Sequence, residues 1–104
     1  MLDQATLDDV IGRIVEVAEP EKIILFGSAA RGDADPDSDI DLLIIKDGAD
    51  ALDLMARIYG RLRGVGAAVD AIVVSPDDVE RYKDSHALIV KPAVQDGIVV
   101  YESD

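Results

Sequence analysis

The chain has 104 residues, 49% of them hydrophobic, a formal net charge of -12 and no cysteine. That length suits one domain with a single modest core, and that hydrophobic content argues against disorder. Disulfides and thiolate metal sites are excluded, and so acidic a surface repels phosphate backbones, which argues against direct nucleic-acid binding.

In chain order, Thr6 with Asp9 three residues on reads as a capping box. Leu7, Val10, Ile11, Ile14, Val15 and Ala18 then recur at helical spacing, which predicts a helix over residues 7–19 that Pro20 stops. The start, MLDQATLDDV, lacks the basic and apolar regions of a signal peptide, and no apolar run is long enough to span a bilayer. A cytoplasmic address is the resulting expectation. Residues 22–26 and 40–45 read as short strands buried on both faces. Gly27, Gly32 and Pro36 forbid a long regular element between them.

Asp50 is placed to cap a second helix over residues 51–62, whose apolar stripe is Ala51, Leu54, Met55, Ile58, Tyr59 and Leu62. Gly64 and Gly66 end it. Residues 67–74 read as a third strand, and Ser75-Pro76-Asp77-Asp78 as a strong helix start. Residues 85–95 have the apolar content of a helix, but Pro92 would break one there. A last strand is expected over residues 98–101. The order α-β-β-α-β-α-β points to an α/β (α+β) domain over residues 1–104, with helices packed on a small sheet.

The chemistry concentrates in "ILFGSAARGDADPDSDIDLLII", residues 24–45. Asp39 and Asp41 open a strand at i and i+2, so both carboxylates leave one face about 6–7 Å apart. Two charges that close need a cation between them. Asp70 is the one polar residue in "AAVDAIVV" and reads as buried, on a face with Ala68, Ile72 and Val74, where a carboxylate is costly unless paired. If the third strand lies beside the second, the three carboxylates converge, and an all-oxygen set suits a hard cation, Mg²⁺ above all. Gly27-Ser28 directly after the first strand offers backbone N–H groups and a hydroxyl to a phosphate, although no Gly-Lys-Ser/Thr of a Walker loop follows. Asp33, Asp35 and Asp37 alternate as in an EF-hand. The sixth position, however, is Ser38 and the twelfth Ile44, where that loop needs Gly and Glu, so the EF-hand reading fails.

Gly27-Ser28, ten intervening residues and Asp39-Ile40-Asp41 resemble the signature of the DNA polymerase β-like nucleotidyltransferase superfamily. With Arg31, Gly32, Ser38 and a strand-borne Asp70, the pattern is most similar to its minimal nucleotidyltransferase branch, many members of which are antitoxins. The resemblance covers residues 6–101. It implies a small mixed β-sheet with helices packed on it. It implies two Mg²⁺ ions on Asp39 and Asp41, ATP with its terminal phosphates at Gly27 and Ser28, and Asp70 completing the metal shell and deprotonating the attacking hydroxyl. Arg31 is left between a phosphate and the acidic loop. His86 lies outside the motif and is read as an ordinary surface or packing residue.

The resemblance further implies a partner, a helical HEPN-domain ribonuclease toxin that is inactivated by transfer of AMP to a tyrosine, in a hetero-oligomer with this chain. Two readings compete with it. One keeps the reaction and makes the acceptor a small molecule of the aminoglycoside kind; the other is an antitoxin that neutralises by binding alone.

Overall fold

Strands β1 (Lys22–Phe26) and β2 (Ile40–Ile45) are almost wholly apolar because both of their faces are covered. A computed structural model gives the fold, and it describes residues 4–27, 30, 39–82 and 97–103. With β3 (Val69–Val74) and β4 (Ile98–Glu102) they form one four-stranded mixed sheet, in the order β3-β2-β1-β4. β1 runs antiparallel to β2 and β4, while β2 and β3 are parallel. The parallel pair needs a crossover, and α2 (Ala51–Arg61) supplies it.

Helices α1 (Gln4–Ala18) and α2 pack on one face of the sheet. Leu7, Val10 and Ile14 meet Ile23, Leu25, Leu42, Ile44, Leu54, Ile58, Ala71 and Val73 in the main core. The opposite residues of the same strands, Ile24, Phe26, Leu43 and Ile45, form a second cluster with Ile72, Val74 and, from α3 (Pro76–Tyr82), Val79. Strand alternation is the whole reason for this division, since neighbours along a strand point to opposite faces.

Two helix starts follow the capping logic. The Asp50 side chain accepts from Asp53 N at 3.1 Å, and Ser75 and Asp78 make a reciprocal box, Asp78 N to Ser75 Oγ at 3.0 Å and Ser75 N to Asp78 Oδ2 at 3.2 Å. Asp50→Ala is expected to lower unfolding free energy by about 1 kcal/mol in a urea titration, the usual cost of a lost N-cap. The first helix differs from expectation. It already runs at Gln4, so Thr6 is inside the helix and not its cap; Gln4 Nε2 instead donates to Asp8 Oδ1 one turn on. β3 begins at Val69 rather than residue 67, after Gly64 and Gly66 at φ +83° and +79° make the turn from α2. The helical stretch expected around residues 85–95 lies outside the described residues.

Candidate active site

The sheet register gathers the carboxylates. Phe26 is paired with Asp41, and Asp41 with Asp70, so β1, β2 and β3 present these three side chains in one row across the sheet. Directly paired residues point to the same face, and adjacent strands are about 4.8 Å apart, so the Asp41 and Asp70 carboxylates leave neighbouring positions. Asp39 does not open the strand as expected: β2 begins at Ile40, so Asp39 is the residue just before it, two positions from Asp41 in the chain and outside the paired register. The face of Asp41 and Asp70 carries the second apolar cluster and is turned away from α1 and α2. The row sits where β1 ends and where β2 and β3 begin. α3, which follows β3, covers the opposite end of the face around Val74 and Ile45.

Burial corrects one expectation. Asp70 is exposed, as is Asp39, while Asp41 is half-buried. The face Asp70 shares with Ile72 and Val74 is apolar only toward α3. Desolvation therefore does not compel Asp70 to have a partner, and its case rests on its place beside Asp41.

Gly27 has a role that sequence reasoning placed elsewhere. It adopts φ +76°, and a Cβ built on it would collide with Asp41 Oδ2 and stand 3.3 Å from Asp41 Cγ. Glycine suits the first residue after β1 on two counts: φ +76° strains any other residue, and the Asp41 carboxylate occupies the space a side chain would fill. The close approach is thus to a carboxylate of the row, in addition to the phosphate contact expected of this position. Ser28 and Arg31, the other two expected ligand-binding residues, lie outside the described residues, as do His86 and the aspartates 33, 35 and 37.

Mg²⁺ suits this donor set. Among the described residues no three acidic or imidazole groups stand close enough to enclose an ion by themselves. An all-protein cage is not what Mg²⁺ requires, however. It takes one or two carboxylates and completes its octahedron with water and substrate phosphates. Asp41 with either neighbour meets that requirement, and the missing Cβ at Gly27 leaves the carboxylate its place.

Known proteins share this fold. Residues 10–104 match the family described as polymerase beta, nucleotidyltransferase. A crystal structure of a toxin–antitoxin with AMP-PNP is similar at a TM-score of 0.65 and 17% identity, over 93% of this chain and 74% of that one. A putative nucleotidyltransferase from Sulfolobus solfataricus is similar at a TM-score of 0.56 and 24% identity, over 97% and 90%. A mutant of the toxin–antitoxin MntA-HpeT is similar at 0.62 and 12%, over 99% and 75%. No curated protein matches the sequence. The chain belongs to the polymerase beta nucleotidyltransferase family, on a match that spans nearly its whole length. Its activity class is nucleotidyl transfer. No helix among the described residues is long and apolar enough to cross a membrane.

Proposed function

We propose that this protein is a Mg²⁺-dependent adenylyltransferase of the minimal nucleotidyltransferase branch, an antitoxin that transfers AMP from ATP to a tyrosine of a HEPN ribonuclease toxin. The observation that carries the reading is the Asp41–Asp70 register pair, with Gly27 against the Asp41 carboxylate and Asp39 two residues before it. Likeness to a toxin–antitoxin structure with AMP-PNP supports both nucleotide and partner. So does likeness to the MntA-HpeT mutant.

In the proposed reaction the acceptor hydroxyl oxygen attacks the α-phosphorus of ATP. An O–P bond forms, the bond from that phosphorus to the bridging oxygen breaks, and pyrophosphate leaves. Mg²⁺, when bound, supplies the positive charge that offsets the carboxylates and stabilises the phosphoryl oxygens. Asp39 and Asp41 would hold it, with Asp70 completing the shell. Asp70 takes the proton from the attacking hydroxyl, and its exposure leaves it open to an acceptor arriving from solution. The Gly27 backbone and the Ser28 hydroxyl hold the terminal phosphates, with Arg31 adding a cation there. A charge of -12 favours a basic protein partner and disfavours RNA itself.

Co-expression with a HEPN toxin tests this reading. The toxin's intact mass is expected to rise by AMP units, on the order of 330 Da each for transfer to a hydroxyl. The gain should occur with wild-type protein and not with Asp39→Asn. A toxin silenced equally by both, with no gain in mass, would mean neutralisation by binding alone.

A further inference from the structure

β3 is an edge strand, so every second residue turns its backbone N–H and C=O away from the sheet. Ala68 and Val74 accept from β2 through their carbonyls, which assigns the even-numbered residues of β3 to the ladder and the odd-numbered ones to the open edge. Ala71 is one of the latter, yet both of its backbone groups are satisfied. Ala71 N donates to the Tyr59 hydroxyl at 2.8 Å, and that hydroxyl donates to Ala71 O at 3.3 Å. Among the described residues, a single oxygen on α2 therefore stands where a further strand would bond, at the residue directly after Asp70.

The ring is well placed to hold this contact. Tyr59 follows Ile58, which is fully buried in the main core, and α2 is capped at both ends, so the hydroxyl is carried on a fixed element. Arg13 adds to this by donating to the carbonyls of Arg61 and Arg63 at 3.0 and 3.1 Å, tying the end of α2 to α1. β3, by contrast, begins only at Val69, just after a turn with two positive-φ glycines. Asp70 is its second residue, close behind the first ladder bond, from Ile40 N to Ala68 O, and so near the end from which the strand would open.

We infer that Tyr59 is a positioning residue for the metal site. Its hydroxyl clamps the start of β3 to α2 and so holds Asp70 opposite Asp41. The inference rests on the reading of Asp70 as part of that site. Ordering a carboxylate through its backbone acts on metal affinity as outer partners of metal ligands do, where loss typically weakens binding by about 10–100-fold.

Tyr59→Phe keeps the ring and removes only the clamp. Amide exchange by NMR should show the Ala71 N–H exchanging faster, while Leu42 and Ile44 in the central strand are unchanged. Electron paramagnetic resonance with Mn²⁺, in the presence of ATP, should show Mn²⁺ bound about tenfold more weakly by Tyr59→Phe. ATP affinity without metal should stay at the wild-type value, which a general loosening of the fold would not spare. In the Asp70→Asn background, Tyr59→Phe should add nothing, because its effect passes through Asp70. Wild-type Mn²⁺ affinity in Tyr59→Phe, or a loss that simply adds to that of Asp70→Asn, overturns the role of Tyr59 and leaves the active site intact. Wild-type affinity in Asp70→Asn itself removes Asp70 from the site and this inference with it. Asp39→Asn in the same assay shows whether the rest of the site survives.

Discussion

Asp41→Asn, and separately Asp39→Asn, should reduce AMP transfer by at least about a thousandfold, some 4 kcal/mol of transition-state stabilisation, while the protein stays folded. Asn preserves shape and removes one negative charge, so what is lost is affinity for Mg²⁺ and the charge it brings to the phosphates. Stability without metal should hold or rise, because Asp41 is paired with Asp70 and follows Asp39 by two residues, and like charges at neighbouring positions disfavour one another. The direction matters. A variant that loses activity by unfolding would show a lower melting temperature, whereas this one should melt at or above the wild-type temperature. Effects within one metal centre are not additive, so the Asp39/Asp41 double variant should be little worse than either single one. Full ATP-dependent transfer by the double variant would end the catalytic reading.

Gly27→Ala should damage both stability and activity, for two separable reasons. Alanine at φ +76° is strained wherever it occurs, which costs about 1–3 kcal/mol, or roughly 5–20 °C in a domain of this size. In addition, the new Cβ would displace the Asp41 carboxylate, whose Oδ2 and Cγ fill that space. The Asp41 Cβ stands at an ordinary contact distance of 3.5 Å from the added carbon, so the strand can stay while the side-chain torsions of Asp41 turn Oδ2 out of its place. Transfer should therefore fall to the level of Asp41→Asn although Asp41 is still present. Urea titrations of Gly27→Ala, Asp41→Ala and the double variant separate the causes. The collision part of the destabilisation should disappear in the double variant, and the backbone part should remain. If the two substitutions add without any such recovery, Gly27 is glycine for its backbone angle alone.

Much of this architecture is legible in the residues. β1, β2 and the helix over residues 51–61 stand where apolar periodicity, Asp50 and the paired glycines put them, because local pattern and long-range packing agree there. The Gly-Ser to Asp-x-Asp spacing gave the family that the comparison over residues 10–104 also finds. The start of α1 was misplaced because Thr6 and Asp9 satisfy a capping rule that is purely local, while the helix gains from Gln4 reaching Asp8. Asp70 reads as buried from its apolar neighbours alone, because alternation tells which face a residue is on but not what covers that face.

Periods of 2 and 3.6 and the conformational limits of Gly, Pro and Asp are enough to place most of the strands and helices and the types of residue at the site. Which strands are neighbours is a matter of long-range packing, and everything specific to the site depends on that. Asp41 meets Asp70 because β2 and β3 pair in parallel, in a register set by apolar residues such as Leu43 and Ile72 and not by the carboxylates themselves. Gly27 meets Asp41 because β1 ends beside the start of β2, and Tyr59 meets Ala71 because α2 returns along the open edge of β3. Contacts between residues 12 or more apart in sequence leave no local periodicity. They arise when burial of the two apolar clusters fixes the sheet order, and the charged row is placed as a consequence.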